Sequence, residues 1–220
     1  MKQYYEILQK AVLFKDITKK DAEQLINCLS PQIRHFAKNE ILLLTGQSVS
    51  HIGIILKGNA SAFLEHIDGS HTIMSNLGPQ SVFGEILVST RTQKSPVTLY
   101  AENDVTAAFI EYQKIYNTCA ASCDAHRFFL QNLLKVIGDK YFSLFDRINI
   151  LREKTLRARI MAYLHNPGHK NSVPFTKTML ADYLLANRSA LSRELHKMAS
   201  EGIITIKGRK IEPVMSTKVD

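Results

Sequence analysis

The chain has 220 residues, 45% of them hydrophobic, with 28 Lys and Arg against 20 Asp and Glu and a net charge of +8. That is enough apolar material for one good core and a smaller second one, which predicts two domains, and no run of apolar residues is long enough for a membrane span. The excess charge is local, since residues 1–148 hold 15 basic and 14 acidic residues while residues 149–220 hold 13 and 6, so the final third carries the attraction for a phosphate backbone.

The N-terminus has no uninterrupted apolar stretch of the signal-peptide kind, being broken by Lys10, Lys15 and Asp16. Cys28, Cys119 and Cys123 are too few and too unevenly spaced for a disulfide framework. Both features fit a soluble protein of a reducing compartment, and a cytoplasmic location is expected. Thr18 and Asp21 have the spacing of a capping box ahead of Ala22, Leu25, Ile26 and Leu29, with Pro31 closing the pattern, which predicts a short helix.

From Ile33 to about Ile110 the texture changes to short runs rich in Ile, Leu, Val, Phe and Thr, broken at Asn39, Gly46, Gly58, Asp68-Gly69, Gly78-Pro79 and Gly84. Turn signals about every ten residues predict an antiparallel β-sandwich or roll. Asp68-Gly69 suits a two-residue turn of the primed type, pairing Ala62–Ile67 with Ser70–Asn76. In that register His66 and His71 face each other, within reach of one metal ion, but with no third ligand in view an exposed hairpin end is the better expectation. Cys119 and Cys123 share a helical spacing but supply only two thiolates, and they are expected to be small side chains rather than metal ligands.

Between about Asp124 and Leu151 lies the clearest periodicity. Leu130, Leu134, Ile137, Tyr141, Leu144, Ile148 and Leu151 recur at alternating spacings of four and three, an a/d seam that asks for a partner helix. Phe128, Phe129 and Leu133 are expected to pack within the subunit, and the seam itself to pair with a second copy. Arg152-Glu153-Lys154 breaks the stripe, Thr155 can cap a helix over Leu156–Leu164, and Asn166-Pro167-Gly168 ends it. Residues 152–155 therefore read as a hinge.

Leu180 to Leu195 reads as two short helices around a tight turn. Leu180, Ala181 and Leu184 give the first an apolar stripe, Leu191 and Leu195 give the second another, and Asn187 is placed to cap the second helix. Arg188, Ser189, Ser192 and Arg193 are left facing out near its N-terminal end, the end that a helix-turn-helix inserts into the major groove. An ordinary helical hairpin with a solvated face would look the same on this segment alone. Beyond it, Ile203–Ile206 and Lys210–Glu212 flank Lys207-Gly208-Arg209 as a wing hairpin, with Lys207, Arg209 and Lys210 placed to touch phosphates.

Asn39-Glu40-Ile41, Gly46-Gln47, Ile54 through Ala60, Asp68-Gly69, Leu77-Gly78-Pro79 and Phe83-Gly84-Glu85 fall in the order and spacing of the cyclic-nucleotide-binding β-roll. Joined to the C-terminal motif, the chain resembles, over nearly all its length, the Crp/Fnr transcription regulators, the family of the cyclic-AMP receptor protein and the fumarate-nitrate reduction regulator. The resemblance implies an α+β architecture: an N-terminal β-roll sensor over 1–123, a dimerisation helix over 124–151 and a winged helix-turn-helix over 152–220. It also implies double-stranded DNA with a palindromic operator, a second copy of the chain and RNA polymerase as partners.

The departures matter as much. Cyclic-AMP-binding members follow Gly-Glu with Arg-Ser-Ala; here Gly84-Glu85 is kept, but Ser95-Pro96-Val97 stands at the second place. Without a bidentate cation a buried phosphate is poorly compensated, and Lys94 or Arg91 would serve only if the loop shifted. Gly84, Glu85, Lys94 and Ser95 remain the candidate effector residues. Residues 1–27 contain no Cys, whereas an iron–sulfur cluster takes about four thiolates. Cyclic AMP, haem and an iron–sulfur cluster are therefore not expected. In the recognition helix the family pattern Arg-Glu-x-x-Ser-Arg is matched by Arg188, Ser192 and Arg193, with Ser189 in the place of Glu and Leu185 in the place of the turn's Gly.

A sequence-specific, homodimeric DNA-binding regulator is the expectation, and an interaction module whose basic domain meets RNA or protein is the alternative. No nucleophile, base and acid set, Gly-rich phosphate loop or metal-binding helix motif points to an enzyme.

Overall fold

Tyr4, Leu8 and Ala11 recur at helical spacing, and the computed structural model forms helix α1 over Lys2–Lys10 with Leu8 and Ala11 buried. The model describes residues 2–66, 68–69, 71–87, 90–117, 124–166, 176–208 and 210–214. A 3-10 turn at Val12–Phe14 leads into α2, Lys19–Leu29, where Thr18 accepts from the Asp21 N–H as the cap spacing predicts and Ala22, Leu25, Ile26 and Leu29 are buried. Tyr5 ties the two helices by donating its hydroxyl to Asn27 Oδ1 at 2.6 Å.

Among the described residues eight strands follow: β1 Gln32–Phe36, β2 Ile41–Leu43, β3 His51–Lys57, β4 Ala60–Glu65, β5 His71–Leu77, β6 Val82–Phe83, β7 Thr98–Ala101 and β8 Val105–Glu111. They form two four-stranded sheets in the orders β1-β8-β3-β6 and β2-β7-β4-β5, with antiparallel pairing. Central β3 and β8 are buried on both faces, which is why Ile52, Ile54, Ile55 and Leu56 read as a continuous apolar run rather than an alternating one. Edge strand β5 has mostly exposed or half-exposed side chains. One core takes residues from both sheets and from α1, α2 and the first part of the long helix, with Phe14 and Phe129 edge to face at 5.3 Å.

The Asp68-Gly69 hairpin exists, and Ala62↔Ser75 keeps the register that a two-residue turn requires, but nearer the turn the pairing is shifted by one residue. The ladder closes at Glu65↔His71, the strands shift register between Ala62 and Phe63, and of the turn dipeptide only Gly69 takes a positive φ, +79°. A bulge moves the pairing out of step, and Ile67 and Ser70, expected to flank the turn, lie outside the described residues. His66 and His71 are consequently not a pair: His66 Nε2 lies 2.8 Å from Thr72 Oγ1, while the His71 ring packs on Phe63. Cys119 and Cys123 lie outside the described residues. Cys28 is exposed, its Sγ 3.9 Å from Nε2 of buried His126.

After the short helix α3, Tyr112–Tyr116, helix α4 runs from Asp124 to Arg152. Phe129, Leu133 and Val136 are buried in the roll core, and Asn132 donates its amide to the carbonyls of Leu13 and Lys15 at 3.2 and 2.7 Å. Leu130 and Ile137 of the seam are half-buried against the same core, whereas Leu134, Tyr141, Leu144 and Ile148 are exposed. The chain divides into units 1–139 and 140–220, and the division runs through this helix. In the second unit α5, Leu156–His165, is capped by Thr155; α6 is Lys177–Tyr183, α7 Arg188–Ser200, and the hairpin β9–β10 pairs Ile204–Lys207 with Lys210–Pro213. Pro167 and Gly168, expected to end α5, lie outside the described residues.

Candidate functional site

The stripes of α6 and α7 close as expected: Leu180, Ala181, Leu184, Leu191 and Leu195 are buried, with Met198 and Ile204 beside them. The turn between the helices is a Schellman end. Ala186 N–H donates to Ala181 O and Leu185 N–H to Asp182 O, which requires a left-handed residue at Leu185, and its φ is +49°. The same pair of bonds ends α7, Ile203 N–H to Met198 O and Gly202 N–H to Ala199 O, with Gly202 at φ +72°. A Leu in this conformation is strained by about 1 kcal/mol relative to Gly. The turn is kept because the carbonyls at the end of α6 are held from outside: Arg147 of α4 donates to Tyr183 and Asp182 at 3.2 and 3.3 Å, and Arg159 of α5 donates to Leu184 at 3.2 Å. The Arg147 guanidinium also lies 4.9 Å from the Tyr183 ring centroid. Neither arginine stood out in the sequence.

Asn187 caps α7 as predicted, its Oδ1 accepting the Ser189 N–H at 2.9 Å. Arg188, Ser189 and Arg193 are exposed and Ser192 is half-buried. Ser189, Ser192, Arg193 and His196 share one face of α7 at helical spacing. His196 was not among the expected residues, although its place seven beyond Ser189 was the signal that could have found it. Its Nδ1 donates to the Ser192 carbonyl at 2.7 Å, and the residue is exposed. On the flank of α7, Arg157 of α5 grips Glu194 at 2.6 Å and Glu201 at 2.6 and 3.2 Å. The Arg157 hydrogen bond holds the Glu201 carboxyl below its ordinary range, and the hydrogen bonds to Glu201 and Glu194 hold Arg157 protonated. These ion pairs tie the flank of α7 to α5.

At the wing, Lys207 pairs with Lys210 in register and Gly208 turns the chain with φ +62°. Lys207 is exposed. Lys210 bonds Glu212 at 2.5 Å, an exposed ion pair that holds the glutamate's pKa low. Arg209 lies outside the described residues.

In the other unit, Gly84 follows β6 with φ +78°, and a Cβ there would meet the His51 carbonyl at 2.9 Å, so only Gly fits. The Tyr112 hydroxyl donates to the Gly84 carbonyl. Burial, then the nearby Glu85 carboxylate, pushes the Tyr112 pKa far up, so this donor stays protonated. Glu85 is buried. Ser95 is buried too, but its hydroxyl is turned onto the Val97 carbonyl at 2.7 Å, and its backbone pairs with Gly46 and Gln47. The hydroxyl is thus used by its own loop. Lys94 and Arg91 are exposed.

Residues 33–122 match the family model of the cyclic nucleotide-binding domain, and residues 147–214 that of the Crp-like helix-turn-helix domain. Among solved structures the chain is similar to the catabolite activator protein of Thermus thermophilus, at 17% identity over 93% of this chain and 94% of that one, with a TM-score of 0.57. The c-di-GMP responsive global regulator CLP of Xanthomonas campestris matches at 16% identity over 88% and 100%, TM-score 0.62. A CooA variant of Carboxydothermus hydrogenoformans matches at 18% identity over 85% of each chain, TM-score 0.64. At such identities the likeness is one of fold. No curated protein matches in sequence.

Proposed function

The chain belongs to the Crp/Fnr family of DNA-binding transcription regulators, and on that premise we propose that it is a homodimer that binds a palindromic operator and is controlled by a signal at the β-roll. The observation that carries this reading is the exposed face of α7. Ser189, Arg193 and His196 share one exposed face of a helix whose Glu194 and neighbouring Glu201 are tied back to Arg157, and the wing carries exposed Lys207. Arg193, one turn into the helix, suits bidentate contact with guanine O6 and N7. Asn187 and Arg188 lie at the helix start, where phosphate contacts are made, and Arg209 and Lys210 flank Lys207.

The exposed line Leu134, Tyr141, Leu144 and Ile148, continued by half-buried Leu151 and flanked by Leu130 and Ile137, supports pairing with a second copy. Pairing sets the spacing of two α7 helices, and half-sites lie roughly 34 Å apart. The break at 152–155, between the end of α4 and the Thr155 cap, is the proposed hinge. A regulator of this kind works where the DNA is, in the cytoplasm, with RNA polymerase as a further partner, and needs no enzymatic step.

The signal is not cyclic AMP in this reading. The segment 82–98 holds two cations, Arg91 and Lys94, both exposed, and Ser95 and Pro96 offer neither charge nor a second N–H. Gly84, Glu85, Lys94 and Ser95 line the loop that takes a ligand of different chemistry, and neither haem nor an iron–sulfur cluster is invoked.

The test is binding of the full chain to its own upstream DNA across a salt series. Arg193→Ala should cost about 1–3 kcal/mol on the operator and relax one base pair per half-site, whereas Lys207→Ala should weaken all duplexes alike and lower the salt slope by about one. Equal losses on operator and random DNA for both variants would refute this division of roles. Tighter binding to RNA than to any duplex would replace it with the interaction-module reading.

A further inference from the structure

The start of α7 holds a hydrogen-bond arrangement that fixes the polarity of one side chain. Asn187 Oδ1 accepts the Ser189 backbone N–H at 2.9 Å and also the Ser189 hydroxyl at 2.7 Å. A carboxamide oxygen has two lone pairs, and both are taken. A serine hydroxyl has a single proton, and here it points at Asn187. What Ser189 Oγ keeps for anything outside the helix is acceptor capacity alone, and Ser189 is exposed.

We propose that Ser189 is a specificity-determining residue that reads an exocyclic amino group in the major groove, so that one position of each half-site favours adenine or cytosine on the contacted strand over guanine or thymine. The inference rests on the reading above that α7 enters the groove. Adenine N6 and cytosine N4 are the major-groove donors, while guanine O6 and thymine O4 are acceptors. A serine with a freely rotating proton serves either kind and reads weakly. With the proton held on Asn187, an opposing O6 or O4 would meet a lone pair, and accommodating it requires breaking the Asn187 bond. The net worth of one such neutral hydrogen bond corresponds to about fivefold in affinity. Ser189 thereby has the acceptor polarity of a carboxylate at this position without a negative charge beside the phosphates.

The experiment selects bound duplexes from a library randomised across the half-site, using the full-length chain and the variants Asn187→Ala, Asn187→Asp and Ser189→Ala. The wild type should show one position where adenine and cytosine together exceed guanine and thymine by about fivefold. Asn187→Asp keeps an oxygen acceptor for the Ser189 proton and should keep the preference, at lower overall affinity. Asn187→Ala and Ser189→Ala should both flatten that position to within about twofold while the rest of the motif persists, which separates the effect from loss of folding. An unchanged preference in Asn187→Ala would overturn the proposal, as would a guanine or thymine preference, or none, at every position of an otherwise clear wild-type motif. If the wild type selects no motif at all, the major-groove reading of α7 falls, and this inference falls with it.

Discussion

In the first stretch of α4, Phe129, Leu133 and Val136 are buried in the roll and Leu130 and Ile137 are half covered by it, whereas Leu134, Tyr141, Leu144 and Ile148 of the same heptad are 69, 62, 50 and 48% exposed. Both stretches are apolar at similar density. A heptad repeat specifies a line on a helix, and which body lies over each part of the line is settled elsewhere in the chain. Around residues 125–137 the cover is this protein's own α1, 3-10 turn and sheets. Along Tyr141–Ile148 exposed Phe142 and Phe145 widen the bare stripe, more apolar surface than a helix of a monomer usually shows to water.

The contrast breaks most directly at Phe129. Phe129→Ala removes a fully buried ring that meets Phe14 and should cost about 3–5 kcal/mol. Urea unfolding followed by circular dichroism should register the loss, while the folded fraction keeps the association state of the wild type. Leu134→Asp with Leu144→Asp should do the reverse. Four aspartates in the paired seam should raise the dimer dissociation constant about a hundredfold or more, with a folded monomer in analytical ultracentrifugation. An unchanged dimer would mean that association lies away from the exposed line.

A smaller effect tests the far end of α4, where buried Arg147 holds two carbonyls of α6. Arg147→Ala should destabilise the DNA-binding unit by about 2 kcal/mol, read as earlier melting of that unit with the roll unaffected. Simultaneous melting of both units would show that the helix couples them.

The smallest expected effect is a pH dependence confined to the roll. Burial lowers the pKa of His126 below the ordinary 6.5, against a backbone hydrogen bond at Lys114 that raises it. A lowered folded pKa means that the protonated form is disfavoured in the native state, so the stability it contributes is present above 6.5 and is lost as pH falls through the lowered value. Denaturation midpoints should fall between pH 7.5 and pH 5.5 in the wild type and change less in His126→Gln. A flat wild-type profile would place the imidazole in contact with solvent.

The α2 cap at Thr18, the alternation of turns through the roll, the seam of α4 and the Asn187 cap were all readable in the chain, because each rests on residues within one or two turns of one another. The hairpin at Asp68-Gly69 was readable as a hairpin, but its register next to the turn was not: a bulge between Ala62 and Phe63, five residues before Asp68, shifts the ladder, and nothing local announces it. Ser189 was legible as standing in the place of the family's Glu, whereas the donation of its hydroxyl to Asn187 Oδ1 was not. The partner of Lys210, Glu212 at 2.5 Å, was likewise not legible in the residue pattern.

Sequence alone determined the order of roll, long helix and winged helix-turn-helix, and the concentration of positive charge after residue 148, because periodicity, caps and charge are local or additive properties. Tertiary structure alone decided which part of one heptad is covered, how Leu185 can hold a left-handed turn through arginines 38 and 26 residues upstream in sequence, and which polar atoms keep a free donor or acceptor. Those outcomes depend on groups far apart in the chain meeting at hydrogen-bond distance, and a pattern of residue types contains no such distance.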